Sequence, residues 1–219
     1  MKRNYFIVLE GIDGCGKDTQ LYKLVEAIRE GIILGDKYTN IWVTREPTKI
    51  TESGKKISEL LKTKHLSLED ATKLFIEDRK EHSKIIKEIL KHSFVISSRY
   101  DISTLTYQTA QGGDLDKLIE LHNYNKDVEE GGCIVPDLTI IFKISPEIAF
   151  ERTHKRYLDK SIDIEYFETL DFQKKIVSTQ EKCINKLRKT GRKIIEVNGE
   201  KPIEEVTSEM ITKIKEILK

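Results

Sequence analysis

Cysteine is scarce in this sequence and does not cluster. The three present, Cys15, Cys133 and Cys183, lie far apart. None falls in a CxxC pair or a Cys/His ligand spacing, which argues against structural zinc or disulfides and points to a reducing compartment. Cys15, inside a glycine-rich stretch, is the one candidate for a reactive thiol. A surplus of one charge is also missing. Lys and Arg number 38 against 37 Asp and Glu, a net charge of +1, so nothing marks nucleic acid or an anionic membrane as a partner. No run of about 18 apolar residues occurs, so no membrane-spanning helix is expected. The first strand begins almost at the N-terminus, which leaves no room for a signal peptide and suggests a cytoplasmic protein. Internal repeats and low-complexity linkers are absent, and 219 residues suit one sizeable domain better than two. The charged fraction of 34% fits a well-solvated surface and a thermophilic source.

What is present is organised around Gly11-Ile12-Asp13-Gly14-Cys15-Gly16-Lys17-Asp18-Thr19. Tyr5 to Leu9, just before it, is an apolar run of strand length. After it, Leu21, Leu24, Val25 and Ile28 recur at spacings of three and four, as an amphipathic helix requires. Strand, glycine-rich turn and helix are the context that makes GxxxxGK a loop for the phosphates of a nucleoside triphosphate. Glycines let successive backbone N–H groups converge on phosphate oxygens. The helix N-terminus adds its positive dipole, and Lys17 supplies a point charge. One position departs from the pattern. The motif ends in Ser or Thr, whose hydroxyl ligates Mg²⁺, and here that position is Asp18.

Four more strands follow in the pattern. Ile41–Thr44 runs into Arg45-Glu46-Pro47, a charged corner at a strand's carboxyl end, where open α/β sheets place their ligands. Ser67 with Asp70 reads as a helix start, and that helix reaches about Lys91 with Ile85, Ile86, Ile89 and Leu90 as its apolar stripe. Phe75, Arg79 and His82 share one face of it. An aromatic and an arginine one turn apart suit either a base-reading pair or a core phenylalanine beside a surface arginine. Phe94–Ser97 is a third strand, delivering Ser98-Arg99-Tyr100 to the same edge of the sheet. A helix opened by Ser103 carries Thr104, Tyr107 and Gln108 on one face, and a further helix spans about Asp116 to Lys126. Leu138–Ile144 is the fourth strand, and Pro146 suits a helix's first turn. The charged segment from Arg152 to Ile162 suits either a lid over phosphates or a solvated helix end. A helix from about Phe167 to Lys189, a strand at Lys193–Val197 and a last helix built on Ile203, Val206, Met210, Ile214 and Leu218 complete the chain. Strand and helix in alternation predict an α/β fold, a five-stranded parallel sheet covered by helices on both faces.

Taken together, these motifs resemble thymidylate kinase, a family of P-loop nucleoside-monophosphate kinases, over nearly the whole chain. The resemblance rests on Leu9-Glu10-Gly11-Ile12-Asp13-Gly14, Thr44-Arg45-Glu46-Pro47, Leu74-Phe75 with Asp78-Arg79 and His82, Arg99 to Thr104, Tyr107-Gln108, Pro136-Asp137-Leu138 and Pro146-Glu147. It implies a single kinase domain over residues 1–219 with a lid at about 152–165, and a homodimer packed through helices. It implies ATP as phosphoryl donor, Mg²⁺ as cofactor and dTMP as acceptor, giving dTDP. In that pattern Gly11 to Thr19 hold ATP and Asp13 meets the 3′-hydroxyl side of the acceptor. Phe75 stacks on thymine with Arg79 on the base edge. Arg99, helped by Arg45 beside Glu46, grips the acceptor phosphate. Tyr107 disfavours a 2′-hydroxyl, while Thr104 and Gln108 help to read the base. Because the loop carries Cys15 and no arginine, the catalytic arginine is expected from the lid, Arg156 first and Arg152 second.

The departures from the family pattern are three. Asp18 replaces the loop hydroxyl, Ser98 replaces the acid that precedes the arginine, and Lys143 stands where an acid is frequent. The first two read as an exchange of roles around Mg²⁺ that keeps one acid and one hydroxyl. Two other readings carry different expectations: a kinase that has drifted to another monophosphate or a deoxynucleoside, and a nucleotide-binding paralogue with little turnover. Arg99 favours a phosphorylated acceptor over a free nucleoside.

Overall fold

The computed structural model describes residues 4–35, 37–38, 40–63, 67–158 and 169–218. Five parallel strands form one sheet: β1 (Phe6–Glu10), β2 (Ile41–Arg45), β3 (Phe94–Ser98), β4 (Leu138–Lys143) and β5 (Ile194–Asn198). Their order is β2-β3-β1-β4-β5, with β1 in the centre. From β1 the chain crosses to the edge strand β2, steps back to β3 beside β1, and then reverses to the other side for β4 and β5. Such a reversal opens a crevice at the carboxyl ends of the strands, where ligands bind. Register brings the key residues to that edge: Leu9 pairs with Ser98, and Arg45 pairs with Ser98 from the other side.

Every residue of β1 is buried, as expected of a central parallel strand covered on both faces. Ile7 and Leu9 face one core with Leu24 and Ile28 of helix α1 (Lys17–Arg29) and Met210 and Ile214 of α8 (Ile203–Ile217). Phe6 and Val8 face the other side with Ile86, Val95 and Tyr100. Each fully buried aliphatic or aromatic side chain contributes roughly 1.5–3 kcal/mol relative to exposure. The alternation along β1 thus locks its register and the height of the loop that follows.

The remaining helices are α2 (Glu52–Thr63), α3 (Leu68–Ile89), α4 (Asp101–Ala110), α5 (Leu115–Leu121), α6 (Pro146–Leu158) and α7 (Leu170–Arg188). Ser67 caps α3, its hydroxyl accepting from the Asp70 N–H. The sequence pattern contained no sign of α2. Gly54 lies inside that helix because a Cβ there would fall 2.4 Å from the Thr48 carbonyl oxygen. Helix α5 is shorter than the periodicity suggested. It ends at Leu121, and Asn123 turns away with φ 50°. Helix α4 starts two residues earlier than Ser103, because Asp101 already has helical geometry. Residues 152–158 of the expected lid belong to α6, and residues 159–165 lie outside the described residues.

Candidate active site

The loop between β1 and α1 folds as its glycines allow. Gly14 and Gly16 both have φ 85°, in the left-handed region that L side chains avoid. At Gly14 a Cβ would sit 2.7 Å from the Ala149 carbonyl oxygen, so α6 packs against the loop as closely as a hydrogen allows. Gly16 is the N-cap of α1 and supplies no side-chain cap. The first-turn N–H groups have no intrahelical carbonyl partner and receive no cap side chain. Cys15 is buried, and burial pushes its thiol up, so it is not a ready thiolate.

Two cations, Lys17 at the start of α1 and Arg99 just past the end of β3, converge on Asp13. Lys17 Nζ, itself buried, lies 3.4 Å from Asp13 Oδ1. Arg99 Nη2 donates to the same oxygen at 2.6 Å, and the Tyr107 hydroxyl reaches Oδ2 at 3.5 Å. Burial opposes the charge on Asp13, but Arg99 and then Lys17 outweigh it and hold the carboxyl well below its usual range. The guanidinium of Arg99 also stacks over the Tyr107 ring, 5.6 Å from its centroid, and donates to Ser103 Oγ at 3.1 Å.

Arg99 itself has φ 67°, a conformation that costs a non-glycine residue of order 1–3 kcal/mol and clusters at functional sites. The neighbourhood holds it there. Its N–H donates to the Leu9 carbonyl at 2.9 Å, and its carbonyl accepts from Ser97 Oγ at 2.7 Å. Glu10, fully buried beneath, accepts from Tyr100 N at 2.7 Å, Ser103 N at 3.1 Å and Ser103 Oγ at 2.6 Å. Burial raises the Glu10 carboxyl, with Ser103 and Arg99 opposing. In the sequence Glu10 stands out only as a member of the Leu9-to-Gly14 motif, with no signal for this task.

A second cluster lies under the other half of the crevice. Arg79 is buried, its Nη2 paired with Glu46 and donating to the Tyr100 carbonyl and Thr104 Oγ1, each at 2.9 Å. Its Nη1 meets His122 Nε2 at 2.8 Å. The second Glu46 oxygen meets His82 Nδ1 at 2.9 Å, and His82 Nε2 meets Thr44 Oγ1 at 2.9 Å. Glu46 therefore orients Arg79 and His82 from the end of β2, next to the cis Glu46–Pro47 bond. Arg79 Nε and Gln108 Oε1 are buried with no hydrogen-bond partner among the described residues. Phe75, four residues before Arg79 on α3, is partly exposed, and Arg45 is exposed at the tip of β2. His122 had no signal in the sequence, because its partner Arg79 is remote in the chain.

Of the remaining candidates, Arg152 on α6 donates from Nη1 to the Gly14 carbonyl at 3.3 Å and the Gly199 carbonyl at 2.9 Å. It clasps the loop to the turn after β5. The side chain of Arg156 lies outside the described residues. Lys143 points to Glu181 and Glu196, 3.0 and 3.1 Å away, and takes no part in the loop. Ile12 is buried in the main core and Thr19 is exposed on α1. Ser98 Oγ donates to Asp18 Oδ1 at 2.9 Å.

For Mg²⁺, the donor set fits. Asp18 and Ser98 offer only oxygen, as a hard cation prefers. No group of three or more His, Cys, Asp or Glu gathers among the described residues. Mg²⁺ usually keeps several waters and is bound through one or two carboxylates plus substrate phosphates.

This strand order, with a glycine-rich loop after the central strand and arginines delivered from neighbouring strand ends, is the P-loop nucleoside-monophosphate kinase fold. Comparison with known proteins narrows it. A family model described as thymidylate kinase matches residues 9–210. A probable thymidylate kinase of Methanococcus maripaludis strain S2 is 34% identical over 216 residues, covering 96% of this chain and 95% of that one. Probable thymidylate kinases of Archaeoglobus fulgidus and Thermococcus onnurineus are 32% and 36% identical, over 93% and 78% of this chain and 91% and 80% of theirs. The chain belongs to the thymidylate kinase family. Among the described residues, no helix is long and apolar enough to cross a membrane.

Proposed function

We propose that this protein transfers the γ-phosphoryl group of ATP to dTMP, giving dTDP and ADP. The observation that carries the reading is the convergence of Lys17 and Arg99 on one Asp13 oxygen. One cation belongs to the triphosphate loop and the other to the strand end beside it, so a donor and an acceptor phosphate can share the space between them. An acceptor phosphate oxygen attacks the γ-phosphorus, a P–O bond forms, and the bond to the β-phosphate oxygen breaks. A phosphate oxygen is already anionic near neutral pH, so no general base is needed. The protein positions the reactants and neutralises developing charge.

Lys17 and the first-turn N–H groups of α1 take the donor phosphates. Arg99, with Arg45 at the neighbouring strand end, takes the acceptor phosphate. Asp18 with Ser98 would hold Mg²⁺, which would supply neutralisation of the charge on the transferring phosphoryl group. Phe75 stacks on the thymine. The unpartnered Gln108 Oε1 and Arg79 Nε are an acceptor and a donor suited to the imide edge, with Thr104 fixing Arg79. Tyr107, stacked beneath Arg99, faces the sugar beside Asp13. With Arg152 committed to loop carbonyls, Arg156 is the arginine we assign to the closing lid. Family membership also supports a homodimer and a cytoplasmic location, which sizing in solution and cell fractionation would test.

ADP release measured with ATP, Mg²⁺ and a panel of dTMP, dUMP, dCMP, ribothymidine monophosphate and thymidine tests the function. Fastest turnover on dTMP and none on thymidine is expected. Turnover led by another monophosphate favours a drifted kinase, and ATP binding without turnover on any acceptor favours a nucleotide-binding protein.

A further inference from the structure

The structure points to an exchange of roles between Asp18 and Ser98: here the nucleotide loop supplies the carboxylate toward Mg²⁺ and the strand end supplies the hydroxyl. The inference rests on the kinase reading and deepens it at one site. The loop pattern places a hydroxyl directly after the lysine, yet Asp18 stands there, in the first turn of α1. The strand-end position before Arg99 holds Ser98, the last residue of β3. The two departures are not independent, because the side chains meet: Ser98 Oγ donates to Asp18 Oδ1 at 2.9 Å. An ionised carboxylate only accepts, so the serine proton must point at Asp18. The lone pairs of the hydroxyl and the second carboxylate oxygen remain for a cation, and Asp18 Oδ2 accepts from no other described residue. One hydroxyl and one acid, hydrogen-bonded across the gap between α1 and β3, are thus retained with their carriers interchanged.

The interchange has a consequence. It moves a negative charge from the strand end onto the loop that receives the phosphates. Without a cation between them, Asp18 and the phosphates repel, and with Mg²⁺ bound both attract it. Two charges about 4 Å apart near a protein surface interact strongly enough for an effect on the order of 30-fold in affinity, even after screening of the exposed carboxylate. Nucleotide binding should therefore depend on Mg²⁺ more steeply than in a loop ending in a hydroxyl. A competing account is that Asp18 only stabilises α1, since acids favour the first turn of a helix. That account predicts a fall in melting temperature on substitution and no change in Mg²⁺ dependence.

The test is ATP affinity by calorimetry, with Mg²⁺ and with chelator, in the wild type, Asp18→Asn, Asp18→Ser and the double variant Asp18→Ser/Ser98→Asp. Mn²⁺ binding to the ADP complex, read by electron paramagnetic resonance, gives a second readout that needs no turnover. The ratio of affinities with and without Mg²⁺ should drop on the order of 30-fold in both single variants. Mn²⁺ binding should weaken in both, and the double variant should recover it. An unchanged ratio in Asp18→Asn, which keeps the side-chain shape, overturns the exchange and supports the helix account. A double variant that binds Mn²⁺ no better than Asp18→Ser also overturns it. Failure of the wild type to bind ATP even with Mg²⁺ would instead overturn the kinase reading.

Discussion

Lowering the pH from about 7.5 to about 5 should cost this protein about 2 kcal/mol of stability through one buried residue, His122. Its Nε2 lies 2.8 Å from Arg79 Nη1, and its Nδ1 lies 2.6 Å from the Leu118 carbonyl oxygen. A guanidinium can only donate, so Nε2 must accept and Nδ1–H must donate, which fixes a neutral tautomer. Burial, then Arg79, push the imidazole from 6.5 down to about 3; Asp101 opposes and Arg192 adds a little. The folded state therefore stays neutral where the unfolded chain takes up a proton. Stability from this group is complete above about pH 6.5 and falls as the pH drops toward 3. At pH 5 the unfolded imidazole is protonated and the folded one is not, and pH 5 lies about one and a half pH units below 6.5, hence about 2 kcal/mol at 1.36 kcal/mol per pH unit. Urea unfolding at both pH values in the wild type and in His122→Gln measures it. Carboxylates titrate in both proteins and cancel in the difference. The wild type should lose about 2 kcal/mol more than the variant. Equal losses in the two would refute the neutral, guanidinium-facing histidine.

Other consequences follow from the same geometry. Gly14→Ala should destabilise by about 1–3 kcal/mol more than Gly16→Ala in thermal unfolding. Both positions have φ 85°, but only at Gly14 does an added Cβ meet the Ala149 carbonyl. Glu10→Ala strands the Tyr100 and Ser103 N–H groups and should cost about 1–3 kcal/mol per unmet donor. It should also lower kcat by freeing Arg99, a loss that steady-state kinetics on a still-folded variant would register. Phe75→Ala should raise KM for dTMP by about 10- to 100-fold, the worth of one stacked base. KM for ATP should stay unchanged, and an equal rise in both would remove Phe75 from the acceptor site.

The loop and the sheet were legible because their signals are local. A strand, a glycine-rich turn and a helix lie consecutively at residues 5–28, and the cap at Ser67 is a four-residue pattern. Phe75 and Arg79 were legible as a pair, but spacing alone left two readings open. Only the tertiary contacts reveal that Arg79 is buried against Glu46, Thr104 and His122. Glu10 and His122 escaped notice because each acts through a partner remote in the chain. Helix α2 escaped because Gly54 interrupts its pattern, and that glycine is there for close contact with Thr48 and Asp78. Asp78 in turn holds the β2–α2 connection, accepting from Thr48 N at 2.8 Å and Thr48 Oγ1 at 2.6 Å. The Asp18–Ser98 exchange was legible as a pairing of two departures, and the fold adds the contact between them, a 2.9 Å hydrogen bond.

The measurement that bears most directly on the central claim follows the phosphoryl group itself. Incubation with ATP labelled at the γ-phosphate, Mg²⁺ and dTMP, followed by separation of the products, should place the label in dTDP. Arg99→Ala should abolish that transfer while ATP still binds. Label appearing only in inorganic phosphate, or passing to dTMP equally well without Arg99, would contradict the account.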